Sequence, residues 1–405
     1  MSEPLVIVGN GMAAARLVDE LARVALGRYA IAVIGDEPRL AYNRVLLSSV
    51  LAGDIDAADV DLKPAQWWRD HGVTLRYGSR AQSVDLARRE VALEDGARVG
   101  FSKLVFATGS HAVRLPLPGA DLPGVHAFRD AADVETLTQL AAQRKRVLVI
   151  GGGLLGLEAA YGLAKRGAEV VLAHVVDRLM ERQLDPAGAA LLKRLVEAKG
   201  VRVMLGANTA RILGEDKVTG VAFADGTTLA TDAVIFSVGV KPNAALAREA
   251  GVAVNRGVLV DDQMATDTPG VYALGECAEH RGVCYGLVEP AYEQARALAA
   301  HLAGREAAYG GSVVATNLKV SGVGVFSAGD FMGGETAQTL LCVDRCLGVY
   351  KKLVIDNDRL VGAILIGDTA AALAYLRLIR SGADVRALRD DLMFDDAASL
   401  QRKAA

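Results

Sequence analysis

The sequence predicts an α/β fold in three parts: two domains written on one βαβ plan, one inserted in the other, and a small C-terminal α+β domain. Three observations carry this. Two apolar strands run straight into glycine clusters, "PLVIVGNGMAAARL" near the start and "RVLVIGGGLLGLEAAYGL" from Arg146. Each is followed by a helix-like stretch and a second apolar strand, "YAIAVIGDE" and "AEVVLAHVV". From about Gly310 the pattern changes to short strands and one helix.

The glycine of the first cluster, Gly9, and that of the second, Gly151, lie about 142 residues apart, and a repeat at that spacing implies two domains of one kind. Between them, "LVFATGSHAVRLPLPG" (Leu104–Gly119) ends a strand in Ala-Thr-Gly and enters a Pro-rich linker. A parallel phrase, "AVIFSVGVKPN" (Ala233–Asn243), closes the second unit. These read as the two crossings of an insertion. The first domain is therefore expected over 1–115 and 240–308, the inserted one over 116–239 and the third over 309–405. In the third, "VATNLKVSGVGVFSAG", "AQTLLCVD", "LGVYKKLVID" and "RLVGAILIGD" read as strands, and "IDNDRL" as a hairpin turn. The helix "TAAALAYLRLIRSG" follows, and the chain runs out in a polar tail, "SLQRKAA".

Bulk composition agrees. The 405 residues are 52% hydrophobic and 23% charged, enough apolar material for the cores of two or three domains. A net charge of −3, no Lys/Arg block and only 5% aromatics argue against nucleic acid as a partner. Four cysteines do not make a disulfide framework and point to a reducing, cytoplasmic setting. Val6–Val8 follows the start at once with no basic leader, which argues against a signal peptide. The longest uncharged run, near Val147–Ala164, is broken by Glu158 and five glycines, so no membrane span is expected there.

Glycine loops between a strand and a helix cradle phosphates. Gly9 permits the tight turn, Gly11 lets backbone approach a pyrophosphate, and Ala14 is small enough to pack helix on strand. Met12 and Ala13 lead into the helix, whose N-terminus offers free N–H groups. Asp36 and Glu37 end the next strand with carboxylates for ribose hydroxyls. The second loop is complete, with Gly151, Gly153 and Gly156, and Leu154 and Leu155 start its helix. Its second strand ends in His174, where an acid commonly reads the NAD ribose. An acid there repels a 2′-phosphate and His does not. Arg178 is close in sequence, so the choice between NADH and NADPH stays open. Two such domains suggest one flavin and one nicotinamide dinucleotide, and hydride transfer as the chemistry. Glu158, on the second loop's helix, is a candidate contact for the nicotinamide amide; the alternative is a solvated helix glutamate.

Together "VIVGNGMAA", "FATGS", "VIGGGLLGLEAA" and "GVYALGECAE" resemble the FAD-dependent pyridine nucleotide oxidoreductases over about residues 1–305, with their pair of Rossmann-like domains. The phrases "EPRLAYNRVLLSSVLAG", "LMERQLD" and "GECAEHRGVCYGLVEPAYEQA" resemble a narrower branch. That branch holds the flavin part of assimilatory nitrite reductase large subunits and the electron-transfer subunits of assimilatory nitrate reductases. The third domain resembles the C-terminal domain of rubredoxin reductases. The resemblance implies that Gly9, Gly11 and Ala14 hold the FAD pyrophosphate, Asp36 and Glu37 the adenosine ribose, and Arg44 lies over the cofactor. Ala81 would meet adenine through its backbone, and Ala107, Thr108, Gly109 and Gly239 would line the crossings. Gly275 and Glu276 would face the phosphate–ribityl region, with Glu in place of the usual Asp. Val288, Glu289 and Pro290 would start a helix aimed at the flavin pyrimidine edge. Ser49 stands where much of the wider family has a Lys near the flavin, and Val113, followed by Arg114, stands where an Arg is common.

The implied activity is that of an NAD(P)H-dependent electron-transfer reductase with FAD and NADH, handing single electrons to a partner protein. That partner would be a nitrate or nitrite reductase catalytic subunit. A rubredoxin or ferredoxin reductase is the nearest alternative, and a regulatory NAD(H)-binding flavoprotein the distant one. Full nitrite reductase large subunits continue into iron–sulfur and sirohaem domains, so this chain is not expected to reduce nitrite alone. "YNRVLLSSVL" holds no cysteine where disulfide reductases of the family carry a pair, so dithiol chemistry is not expected.

Cys277, His280 and Cys284 crowd into eight residues, yet they read better as the loop closing the flavin site than as a metal site. Cys342 and Cys346 are too few for a closed zinc site. No metal is expected. Trp67 and Trp68 read as packing residues, His71 as a solvated helix-end residue, and His111 as a bystander near the first crossing. Whether the chain forms an oligomer is left open.

Overall fold

A computed structural model describes residues 2–25, 27–320 and 322–394, without the side chains of 317–320. The tail "SLQRKAA" lies outside the described residues. The chain divides into two compact units. One comprises Met1–Leu47, Asp56–His111 and Val240–Ser312, the other Ser48–Ile55, Ala112–Gly239 and Val313–Ala405.

The first unit is built on a parallel sheet in the order Val271–Ala273, Lys103–Phe106, Glu3–Val8, Tyr29–Gly35, Thr74–Tyr77. The opening strand pairs on both sides, Leu5 with Lys103 and Leu5 with Ile31. Its uninterrupted run Leu5–Val8 follows from burial on both faces, as in parallel sheets generally. Leu5 and Ile7 join a core with Leu17, Trp68 and Leu298. Val6 and Val8 join another with Val91, Leu93 and Phe106. The first face is covered by the helices Met12–Val24 and Val288–Leu302. The second is covered by the antiparallel strands Ala81–Asp85, Glu90–Leu93 and Arg98–Gly100. Trp68 is fully buried in the first core. His71 departs from the solvated reading: it is half-buried, stacked on Trp67 at 4.1 Å, with Nδ1 2.7 Å from the Trp67 carbonyl.

The second unit repeats the plan in the order Val201–Leu205, Glu169–His174, Arg146–Ile150, Ala233–Phe236, Val125–Ala127, all parallel. The apolar run near Val147–Ala164 is split between the strand Arg146–Ile150 and the helix Leu154–Lys165. Among the described residues no helix is long and apolar enough to cross a membrane. Ser48–Ile55 belongs to this unit because a Cβ on Gly162 would come within 2.8 Å of Leu51 Cγ; only glycine lets that segment pack. Arg166 Nη2 then donates to the Val50 carbonyl at 3.0 Å.

The same unit carries an antiparallel sheet in the order Ala315–Val320, Val323–Gly329, Arg359–Ile366, Val349–Asp356, Gln338–Asp344. Its inward residues Phe326, Leu353 and Leu365 pack on Tyr375 and Leu376 of the helix Ala372–Ser381. The turn in "IDNDRL" has Asn357 at φ 48° and Asp358 at φ 59°. Two consecutive left-handed residues give the hairpin twist that matches the strands, and Asn and Asp tolerate that region best after glycine.

Candidate dinucleotide sites

The first glycine loop leaves the strand Glu3–Val8. Gly9 adopts φ +116°, and a Cβ on it would lie 2.1 Å from the Ala107 carbonyl oxygen. Only glycine fits. Gly11 caps the helix Met12–Val24 without a side-chain cap, and nothing described lies within 4 Å of where its Cβ would be. The helix N-terminus is thus left open for an anion. Met12 and Ala13 are half-buried there, and Ala14 is fully buried. Gly275 comes against the same loop: a Cβ on it would be 2.9 Å from the Ala13 Cβ. Its N–H donates to Gln294 Oε1 at 2.8 Å. Gln294 Nε2 and Asn10 Oδ1 are buried with no partner among the described residues. Orphaned polar atoms beside an open helix end fit a polar, phosphate-bearing ligand.

The other candidates of this unit are placed as follows. Asp36 is exposed at the strand end. Glu37 accepts from the Tyr42 hydroxyl at 2.8 Å and pairs with Arg44, so its carboxylate is engaged within the protein. Arg44 lies 4.9 Å over the Tyr42 ring. Ala81 begins an antiparallel strand and pairs with Leu93. Ala107 donates to the Val8 carbonyl at 2.8 Å. Thr108 Oγ1 donates to the Asn243 carbonyl at 2.6 Å, and Asn243 Nδ2 returns a 2.9 Å bond to the Thr108 carbonyl. The Asn243 N–H donates to the Gly109 carbonyl. Glu276 sits in a short 3-10 turn, Gly275–Cys277, because the strand before it stops at Ala273. Ser110 Oγ donates to Glu276 Oε2 at 2.6 Å. Val288 and Glu289 start the helix Val288–Leu302, and Pro290 falls in its first turn, where a missing N–H does no harm. Ser110 and Asn243 were missed from the sequence, although both stand inside the crossing phrases.

The side chains of the crowded loop are engaged by protein groups outside it. Cys277 is fully buried, its Sγ 3.3 Å from the carbonyls of Phe106 and Leu274, and burial pushes its thiol up. His280 Nε2 lies 2.9 Å from Asp262 Oδ1. Glu279 accepts from Asn255 Nδ2 and from the N–H groups of Arg256 and Gly257. Among the described residues no group of three His, Cys, Asp or Glu could hold a metal ion.

The second loop divides its labour the same way. A Cβ on Gly151, at φ +123°, would lie 2.1 Å from the Ser237 carbonyl oxygen, and one on Gly156 would lie 2.0 Å from that of Gly151. Gly153 caps the helix and faces open space, and Leu154 and Leu155 are half-buried behind it. This cradle too fits a dinucleotide phosphate. Glu158 is not the solvated glutamate of one reading: it is 8% exposed, and burial pushes its carboxyl up to about 7 against the opposing hydrogen bond with Ser48. Ser49, the candidate, accepts the Asp54 N–H at 2.8 Å through its carbonyl; its neighbour Ser48 is the one that meets Glu158. Gly239 is exposed and accepts the Val113 N–H at 3.0 Å. His174 is buried, with Nδ1 3.1 Å from the Gly152 N–H nitrogen and Nε2 3.1 Å from Glu181 Oε2. The structure thus brings Gly9 to Ala14, Gly275 and Glu276's turn together in one unit. Gly151 to Glu158, His174 and Ser49 fall in the other.

Residues 3–307 match the family model described as pyridine nucleotide-disulphide oxidoreductase, and residues 315–383 match the rubredoxin NAD+ reductase C-terminal domain. The chain is 44% identical over 382 residues to an NAD(P)H nitrite reductase of Bacillus subtilis, covering 94% of this chain and 48% of that one. It is 42% identical over 366 residues to the assimilatory nitrate reductase electron transfer subunit of the same organism, covering 90% and 48%. The chain therefore spans about half the length of these curated relatives. A crystal structure of a ferredoxin reductase from Rhodopseudomonas palustris superposes with a TM-score of 0.89 at 28% identity, covering 100% of both chains.

Proposed function

Because the chain belongs to the pyridine nucleotide-disulphide oxidoreductase family, whose members bind FAD and NAD(P)H, we propose that it is an electron-transfer reductase serving an assimilatory nitrate or nitrite reductase. It takes hydride from NADH and passes single electrons to a separate protein. Bound FAD supplies the conversion between two-electron and one-electron chemistry. The loop Gly9, Gly11, Met12, Ala13 and Ala14 holds the FAD pyrophosphate on the open helix end. Asp36 is the accessible strand-end acid for the adenosine ribose, with the Glu37–Arg44 pair framing it. Ala81 meets adenine. Ala107, Thr108, Gly109 and Gly275 keep backbone close to the flavin, and Glu276, fixed by Ser110, faces its ribityl side. The helix beginning Val288–Glu289–Pro290 would lend its positive N-terminal end to the bound flavin. Gly151, Gly153, Leu154, Leu155 and Gly156 hold the nicotinamide dinucleotide, and Glu158 contacts the nicotinamide amide. Residues 1–115 and 240–308 act as the FAD domain, 116–239 as the NAD(P) domain and 309–405 as the third. A reducing, cytoplasmic setting suits the four free cysteines.

The observation that carries the acceptor assignment is the 42% identity to a nitrate reductase electron transfer subunit over 90% of this chain. A second reading, a ferredoxin or rubredoxin reductase of another pathway, is favoured by the full-length superposition on a ferredoxin reductase. Stopped-flow reduction tests both. Rapid bleaching of the flavin by NADH, then fast reoxidation by a nitrate or nitrite reductase catalytic subunit, is expected. Reoxidation by rubredoxin or ferredoxin alone selects the second reading. A slow, long-lived reduced state that no protein acceptor discharges overturns both and leaves a regulatory flavoprotein.

A further inference from the structure

In a βαβ dinucleotide unit the residue ending the second strand meets the adenosine ribose, and an acid there accepts the 2′-hydroxyl and disfavours a 2′-phosphate. Here that residue is His174. Its ring lies against the glycine loop: a Cβ on Gly152 would come within 2.7 Å of both His174 Cγ and Cδ2. The Gly152 N–H points at His174 Nδ1, 3.1 Å away, so Nδ1 acts as acceptor and carries no proton. The ring proton is therefore on Nε2, which donates to Glu181 Oε2 at 3.1 Å. Both ring nitrogens of the imidazole are thus used within the protein. The ring has no spare donor to offer a phosphate.

An acid, Glu181, stands seven residues after the strand end and meets the ring of His174. The Met180 N–H donates to the Gly152 carbonyl at 3.0 Å, so both backbone groups of Gly152 are taken. Met180 itself adopts φ +50°, a left-handed backbone that a side chain accepts only when its surroundings impose it. That turn sets Glu181 beside the ring with its side chain still 30% exposed. Two cations are near in sequence, Arg178 and Arg182. Arg178 Nη1 is paired with Asp177 at 3.1 Å, while its Nε is buried with no partner among the described residues.

We propose that Glu181 is the residue that selects NADH over NADPH, with His174 as the positioning residue that holds its carboxylate at the ribose end of the second glycine loop. This rests on the reading that the second loop holds the nicotinamide dinucleotide. Calorimetric titration of the FAD-loaded full chain with NAD+ and NADP+ tests it without any turnover, and KM values for NADH and NADPH give a second readout. The wild-type chain is expected to bind NAD+ about tenfold or more tighter than NADP+. Glu181→Gln, which keeps the shape and removes the charge, is expected to narrow that ratio to within about threefold, mainly by tighter NADP+ binding. Glu181→Asp keeps a carboxylate and is expected to retain most of the preference, and a melting curve for each variant confirms the fold. An unchanged ratio in Glu181→Gln overturns the proposal. So does a wild-type chain that binds NADP+ as well as NAD+ and loses NADP+ in Arg178→Ala. Binding of both dinucleotides alike sinks this inference alone, whereas binding of neither sinks the reading of the loop as well.

Discussion

The Tyr350 hydroxyl donates a 2.7 Å hydrogen bond to the buried carboxylate of Asp185. The same carboxylate caps the helix Pro186–Glu197 through the Gly188 N–H at 2.9 Å and takes Lys352 Nζ at 3.1 Å. Burial, reinforced by this carboxylate, raises the Tyr350 hydroxyl's pKa above its ordinary value. Asp185→Ala removes the cap and strands a lysine charge, and should lower unfolding free energy by about 3 kcal/mol. Tyr350→Phe should cost about 1 kcal/mol. Urea unfolding of the full chain followed by circular dichroism measures both. An Asp185→Ala variant as stable as the wild type would show that the cluster holds nothing together.

The glycines of the first loop should separate folding from cofactor binding. Gly9→Ala would put a methyl 2.1 Å from a carbonyl oxygen and should fail to give a folded chain. Gly11→Ala meets nothing described within 4 Å, so it should fold normally. Its methyl would instead occupy space proposed for the pyrophosphate. Flavin-to-protein absorbance ratios, read beside circular dichroism, should fall sharply for Gly11→Ala at unchanged secondary structure.

Glu158 gives stability a pH dependence of known sign. Burial holds its folded carboxyl at about 7, above the ordinary 4.5, so the folded state binds the proton more tightly. The stabilisation is fully present below about pH 4.5 and fades as pH rises through about 7. Glu158→Gln has no proton to lose. It should melt close to the wild type near pH 5 and be more stable near pH 8, by up to about 3 kcal/mol. Equal melting profiles at both pH values would remove Glu158 from the protonated class.

Thiol reactivity should follow exposure. Cys346 is exposed and Cys277 fully buried with its thiol pushed up, so a thiol reagent should label Cys346 first and Cys277 only on unfolding. Peptide mass mapping over a labelling time course reads this. Early modification of Cys277 would mean that the loop opens in solution.

The sheets and glycine loops were legible because continuous apolar runs ending in glycine admit few alternatives. Leu5–Val8 splits between two cores, which is what such a run requires. Side-chain partnerships were not legible. Ser110 and Glu276 stand 166 positions apart and Asp185 and Tyr350 165, and no local pattern encodes a meeting over such distances. Glu158 could be placed on its helix, but neither its burial nor its hydrogen bond with Ser48, from another part of the chain, could be read from local pattern. His174 read as the strand-end residue at the NAD ribose, and its burial was not legible. It is buried because Gly152 has no side chain to keep the ring away.

The phrase Leu179–Asp185 also has a mechanical meaning. Its Met180 grips the carbonyl of Gly152, and its Asp185 is anchored to Tyr350 and Lys352 of the C-terminal sheet. One turn of chain thus acts as a splint, with the glycine loop lashed to one end and the sheet to the other. Tightness at Tyr350 should be felt as stiffness at Gly152, and in a double-mutant cycle Asp185 and Glu181 should behave as one part.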